Sequence, residues 1–202
     1  MKRRLLILIF MICAIADSAA QTDMPRFTFG TEWSYTATFF NGHRNYFIAP
    51  EGFRVDDRQD EFKYFSNGEC YLHTGYNFNE QWNLSLYIGY TSIGLYHTGL
   101  PISLRATRFF GQDHLSDRWF TYVDVGTGVS FQSTPKPLII SKMGGGYRLS
   151  LSRYSKLDFI VSFRWINTYP DVYYYGEIID NEDIGRHAAY TAAISFGIGL
   201  TF

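Results

Sequence analysis

The chain has 202 residues, of which 46% are hydrophobic and 19% aromatic, and its formal net charge at pH 7 is −1. A nearly neutral chain without a basic stripe is a poor ligand for nucleic acid, so that class of partner is excluded. No segment after residue 20 has the run of about 18 apolar residues that a transmembrane helix needs, which excludes helical membrane proteins.

Residues 1–20 have the three parts of a secretory signal: a positively charged start, the apolar run Leu5–Ile15, and small residues ending at Ala20. Removal of this signal leaves 15 basic against 18 acidic groups. The mature chain, residues 21–202, is then a single domain with one cysteine, Cys70, so no disulfide is expected within it.

Eight segments of the mature chain alternate apolar residues with small or polar ones, and a period of two predicts β-strands with one apolar face. In chain order they cover about 27–39, 69–78, 82–90, 100–110, 119–131, 142–152, 157–165 and 188–202. The fourth segment loses its phase at Arg108–Phe110, where we expect a bulge or an early strand end. Strands that cross a bilayer must pair every backbone group, so they must close into a barrel.

The connections between these segments alternate in length. The longer ones are 41–64, 92–99, 132–138 and 167–186, and the shorter ones are 79–81, 111–118 and 153–156. Short inner turns, long outer loops and aromatic residues at both strand ends are typical of outer-membrane barrels. The alternative is a soluble barrel with its apolar faces inward, but large aromatic residues would overfill an eight-stranded lumen, which Gly, Ser and Thr fit.

The last segment alternates apolar residues up to a terminal Phe202, and this pattern resembles the C-terminal signal that the bacterial outer-membrane assembly machinery reads. With its eight segments, the chain resembles the small outer-membrane barrels, such as the transmembrane domain of outer membrane protein A. The resemblance implies an all-β fold, an eight-stranded antiparallel up-and-down transmembrane β-barrel in the bacterial outer membrane. It also implies a monomer whose partners are outer-membrane lipid and the barrel assembly machinery. Because this fold hosts pores, adhesins, scaffolds and enzymes, it does not identify the task.

Eight charged residues are predicted to face the lumen, four of each sign. They are Glu32, Glu69, Asp124, Asp158, Arg105, Lys142, Arg148 and Arg164. We expect Glu32 to lie at the same depth as Arg105, Asp124 and Arg148, and Arg148 to pair with Asp124. Charges taken out of water need partners, so the sequence predicts a salt-bridge network that plugs the lumen. A proton or ion path is the alternative.

The long outer loops are the candidates for surface recognition, because they combine aromatic and acidic side chains. In the fourth loop the candidates are Tyr173, Tyr174, Tyr175, Asp180 and Asp183. Such side chains suit a glycan or Ca²⁺, but 180–183 lacks the alternate spacing and the Gly of a calcium loop. No metal site and no cofactor is therefore predicted.

The chain has one His-x-Ser triplet, His114-Leu115-Ser116. Outer-membrane lipid A deacylases use such a pair with a nearby acid to attack an acyl ester. Here the triplet falls in a predicted periplasmic turn, away from the outer leaflet, so no catalytic residue is assigned. We predict a structural or surface-interaction role, with a surface ligand or an envelope protein as partner. A lipid A-modifying enzyme is the alternative, and a diffusive pore ranks third.

Overall fold

The computed structural model describes residues 24–93, 97–111, 113–131, 135–180 and 182–202, and the predicted signal, residues 1–20, lies outside the described residues. The strands, in chain order, are β1 (Phe27–Ile48), β2 (Arg54–Asn77), β3 (Trp82–Ile93), β4 (His97–Phe109), β5 (Arg118–Phe131), β6 (Pro135–Ser150), β7 (Lys156–Thr168), β8 (Tyr173–Tyr174), β9 (Glu177–Ile178) and β10 (Ile184–Thr201). The described residues include no helix long and apolar enough to cross a membrane.

Eight of these strands close into an antiparallel barrel in the order β1-β10-β7-β6-β5-β4-β3-β2. The seam joins β1 to β10, with Gly30 paired to Thr201 at its inner end. The last residue extends this seam, because Phe29 and Phe202 exchange backbone hydrogen bonds of 3.0 and 2.8 Å and their rings stack at 5.7 Å. The predicted eight-stranded up-and-down barrel is confirmed.

Side chains alternate between the two faces of the barrel wall. On β1, Phe29 is 61% exposed and Trp33 57%, whereas Glu32 between them is 2% exposed and faces the lumen. The other barrel strands likewise expose Leu, Ile, Val and Phe side chains on their outer face. A continuous apolar belt of this kind is stable against lipid rather than water. The soluble barrel with an inward apolar face is therefore excluded.

Large side chains enter the lumen beside its Gly, Ser and Thr residues. Within the described ranges, five aromatic rings are buried there: Tyr71, Tyr87, Phe109, Phe120 and Tyr122. Glycines on neighbouring strands provide the space, since a Cβ on Gly146 would lie 2.7 Å from the Phe120 ring and one on Gly89 would lie 2.5 Å from the Tyr71 ring. The Phe120 and Tyr71 rings thus each pack over a glycine of the neighbouring strand.

The prediction of an outer loop at 41–64 is wrong, because most of this segment forms strand. β1 continues to Ile48 and β2 begins at Arg54, which leaves a turn of residues 49–53. The two strands pair from Asn41↔Glu61 to Ile48↔Arg54, so the hairpin extends well beyond the apolar belt. The second and third loops are also shorter than predicted, since β4 begins at His97 and β6 at Pro135.

The fourth predicted outer loop, 167–186, holds a small hairpin of its own. β8 and β9 pair in it, and Tyr175 turns the chain with a positive φ of 48°. Val172 and Ile179 flank this hairpin and pack with Phe47 in a small buried cluster. The β8–β9 hairpin is therefore anchored to the end of β1.

We expect the protein in the outer-membrane fraction to migrate differently before and after boiling, because a closed barrel has no free edge from which unpairing can start. Deletion of Phe202 removes the two seam bonds and the ring stack, and should reduce the amount of heat-shifting protein. Phe202→Tyr keeps both and should leave that amount unchanged. Equal amounts from the deletion and the parent chain would show that Phe202 does not support assembly.

Candidate functional site

Arg105 on β4 lies inside the lumen, on the short-turn side of the apolar layer described below, and is 3% exposed. Its guanidinium donates to Asp124 on β5 at 3.1 Å and, across the barrel, to Glu32 on β1 at 2.5 Å. It also donates to the Tyr87 hydroxyl at 3.1 Å, and its central carbon lies 3.9 and 4.0 Å from the ring centroids of Tyr87 and Tyr122. One buried cation is thus shared by two carboxylates and two aromatic rings.

Glu69 on β2 is the centre of a second cluster. Lys142 on β6 donates to it at 3.0 Å and Arg164 on β7 at 3.2 Å, and all three side chains are about 1% exposed. Arg164 also donates to the Thr91 hydroxyl at 2.7 Å. This cluster has one positive charge in excess and the Arg105 cluster one negative charge. Because Lys142 is the register partner of Asp124, the two excess charges are adjacent.

Arg148 lies nearer the short turns and pairs with Asp158 on the neighbouring strand, with two nitrogen–oxygen distances of 2.7 Å. The expected pairing of Arg148 with Asp124 is wrong, because Asp158 is the register partner of Arg148 and Asp124 binds Arg105. The eight predicted lumen charges therefore lie in three groups, and each of them has a partner of opposite sign.

An apolar layer lies between these charges and the outer end of the barrel. It consists of four buried side chains: Ile93, Leu138, Ile140 and Ile166. The sequence did not reveal this layer, because its members lie at strand ends that were placed in loops or outside the alternating segments. The continued alternation from Lys142 back to Leu138 was the signal that could have found it.

A cavity of about 380 Å³ opens above the apolar layer at the outer mouth. His43 lies on its wall, and the imidazole of His43 is 2.9 Å from a carboxylate oxygen of Asp57 beside the cavity. Gln59 donates to Glu61 on the same side, and both line the cavity. Across it, Lys136 and Asp171 form an ion pair of 2.8 Å. The cavity wall thus combines carboxylates, amides and an imidazole.

Two polar atoms at this cavity have no hydrogen-bond partner within the described part of the chain. They are the side-chain oxygens of Asn45 and Thr191, and both atoms are buried. Nearby, burial lowers the pKa of His187, and the positive charge of Lys136 lowers it further, so this imidazole adds no cation at neutral pH. The mouth therefore presents mainly hydrogen-bond acceptors and negative charge.

The candidates predicted in the fourth loop do not form one site. Tyr173 lines the mouth cavity, whereas Tyr174 packs against Phe47 with ring centroids 5.7 Å apart. Tyr175 is 90% exposed at the hairpin tip. Asp180 and Asp183 form a turn, in which the Asp183 N–H donates to the Asp180 carbonyl at 3.0 Å. His43, Asp57 and Glu61 fall in the predicted first outer loop, and sequence reasoning missed only their pairing across two strands, because that segment was predicted as a loop.

His114-Leu115-Ser116 lies in the connection between β4 and β5, at the short-turn end. The Ser116 hydroxyl donates to the Asp113 carbonyl at 2.9 Å, so it is held by backbone rather than by an imidazole. The Nε2 atom of His114 is buried and has no hydrogen-bond partner in the described ranges. This arrangement has no base positioned on the hydroxyl. Among the described residues, no three His, Cys, Asp or Glu side chains come close enough to hold a metal ion.

No protein-family model matches the chain, and no curated protein matches it. Among solved structures, neisserial surface protein A has 9% identity and a TM-score of 0.51, over 87% of this chain and 97% of that one. Outer membrane protein OprG from Pseudomonas aeruginosa has 13% identity and a TM-score of 0.55, over 88% and 96%. Identities this low show the fold, which is that of small outer-membrane barrels. Together with the outward apolar belt, this fold makes the chain a barrel of the bacterial outer membrane.

Arg105→Met should lower the free energy of unfolding by about 3 kcal/mol, because it leaves Glu32 and Asp124 buried without their cation. Urea unfolding in detergent micelles, followed by tryptophan fluorescence, measures this change. Adding Glu32→Gln and Asp124→Asn to the same chain removes the orphaned charges and should restore part of the loss.

The exposed Arg58→Met is the matched control, and it should change the free energy of unfolding by less than about 1 kcal/mol. Equal effects of Arg58→Met and Arg105→Met would show that the lumen pairing does not contribute to stability.

Proposed function

We propose that this protein is a non-conducting outer-membrane barrel with a surface-interaction role, in which the closed lumen supports a binding mouth on the outside. The observation that carries the proposal is the order of layers along the barrel axis. Three groups of paired charges come first, the Ile93 layer follows, and the cavity beside His43 and Asp57 lies above them. A polar cavity with a closed floor suits binding better than passage.

Several lumen contacts support closure by joining opposite walls of the barrel. Arg105 reaches from β4 to Glu32 on β1, and Lys142 reaches from β6 to Glu69 on β2. Eight strands enclose an interior just wide enough for side chains to fill. The almost complete burial of these side chains supports a lumen without an aqueous path at their depth.

The chemistry of the mouth supports a ligand that donates hydrogen bonds and carries positive charge. Glu61 supplies a carboxylate on the wall, and Asp57 supplies a second one beside it, in contact with His43. In the described part of the wall, Asn45 and Thr191 supply unpartnered oxygens. A volume of about 380 Å³ is near the lower end for small-molecule sites, so the bound part is small. An amino sugar or a basic side chain of a surface partner has this chemistry.

The purified protein in a planar bilayer should give no current steps above the lipid background, at either ~0.1 M or ~1 M salt, because buried ion pairs are screened little by salt. A large porin prepared in the same detergent is the positive control. Stepwise currents from the folded, heat-shifting protein would contradict the closed lumen.

The mouth should bind glucosamine disaccharide more tightly than its fully N-acetylated form, because acetylation removes the positive charge. Asp57→Asn and Glu61→Gln together should weaken that binding about tenfold, as expected for charge-assisted contacts. Isothermal titration calorimetry of the folded protein in detergent measures both effects.

The matched control is Asp56→Asn with Asp60→Asn, which changes the adjacent carboxylates on the outer face of the same strand. This variant should bind the disaccharide as the parent chain does. Failure of both disaccharides to bind would reject the proposed ligand class, and equal loss in both variants would move the site away from the mouth.

A further inference from the structure

Four aromatic rings form a continuous row on the lipid-facing side of β2, β1, β10 and β7. Phe40 lies 5.1 Å from Phe62 and 5.9 Å from Tyr190, and Trp165 stacks on Tyr190 at 5.5 Å with an interplanar angle of 9°. Aromatic rows of this kind mark the boundary between acyl chains and headgroups. This aromatic row therefore fixes the level of the outer membrane surface on the barrel wall.

Two arginines lie directly opposite each other just beyond the aromatic row. Arg44 on β1 is the register partner of Arg58 on β2, and both are exposed on the outer face. Like charges at directly opposed positions of an antiparallel pair are destabilising. Arg44 lies four positions along β1 from Phe40, and its guanidinium carbon lies 5.8 Å from the centroid of the Tyr190 ring in that row. A charge this close to the row lies within the headgroup layer, which adds about 5–7 Å to each side of the hydrocarbon core.

The surrounding side chains hold this arginine pair in place, and the single carboxylate of Asp60 neutralises only part of its charge. The Arg44 guanidinium carbon lies 5.8 Å from the centroid of the Tyr190 ring, and Arg58 lies 3.6 Å from a carboxylate oxygen of Asp60. The Tyr190 hydroxyl donates to the same carboxylate, and this bond lowers the pKa of Asp60. Asp60 is therefore a charged residue already shared between two partners.

The wider outer face of these strands is basic. Its charged positions are Arg44, Arg54, Arg58 and Arg186, with Asp56 and Asp60 as the acids. Four cations against two anions leave an excess of positive charge beside the headgroup layer. Guanidinium groups bind phosphate through two parallel hydrogen bonds, so an arginine pair beside the headgroup layer suits a phosphate.

We propose that the outer face of β2, β1 and β10 binds a phosphorylated glycolipid of the outer leaflet, with a phosphate between Arg44 and Arg58 and acyl chains along the aromatic row. The phosphate offsets the repulsion of the arginine pair. The aromatic row selects an anion attached to acyl chains over a free one. Tyr190 borders both this site and the mouth cavity, but neither arginine lines the cavity, so the phosphate site does not depend on the ligand of the mouth.

Native mass spectrometry of the folded protein in detergent, titrated with bis-phosphorylated lipid A, tests this site. Arg44→Gln with Arg58→Gln should reduce the lipid occupancy about tenfold, as expected for the loss of two charge-assisted contacts. Arg108→Gln with Arg153→Gln removes the same charge at the short-turn end and should leave occupancy unchanged. An unboiled gel shift verifies that both variants are folded.

Two further titrations identify the source of the phosphate. Lipid A with both phosphates removed should bind about tenfold more weakly to the parent chain, while inorganic phosphate alone should not displace the intact lipid. Equal binding of the dephosphorylated lipid, or of intact lipid by the Arg44/Arg58 variant, would overturn the proposal. Displacement by inorganic phosphate would overturn it as well, since the site would then bind a free anion.

Discussion

A strand inside a bilayer must have every backbone N–H and C=O group paired, and the seam between β1 and β10 is where this chain meets that constraint. Closure fixes which face of each strand meets lipid and which meets the lumen, because side chains alternate along a strand. The apolar belt and the charged interior are two results of the same alternation. Once the ring of eight strands is closed, the interior is too narrow to hydrate its charges, so they must pair with one another.

Such pairing selects the register more than it adds stability, since buried ion pairs gain little over well-packed apolar groups. A slip of one residue on β4 would move Arg105 to the lipid face, where a charge costs several kcal/mol, and would leave Glu32 and Asp124 without a cation. The contacts of Arg105 to β1 and of Lys142 to β2 link strands that are not neighbours in the sheet. Each link therefore restricts the register of several strands together.

The sequence was sufficient to predict the membrane-crossing part of each strand. Lipid on one side and the lumen on the other impose a strict period of two there. Beyond the aromatic row both faces of a strand meet water, the period disappears, and the paired segment 41–64 was taken for a loop. At Arg108–Phe110, where a bulge or an early strand end was expected, β4 ends at Phe109 and has no register shift toward β5. The alternation holds up to that end, so the Phe109 ring enters the lumen. The ion-pair partners of Arg148 and Arg105 could not be predicted in this way, because they depend on how the strands are staggered around the barrel. No single strand encodes that stagger.

An irregularity at Phe39 links the two candidate surfaces. The register shifts between Thr38 and Phe40, and the two faces of β1 exchange their parity there. Even-numbered residues such as Thr36 face the lumen before the shift, whereas odd-numbered residues such as His43 line the mouth after it. Without the extra residue, His43 would face lipid headgroups and Arg44 would enter the acidic mouth. One bulge therefore puts His43 on the mouth face of the hairpin and Arg44 beside Arg58 on its outer face.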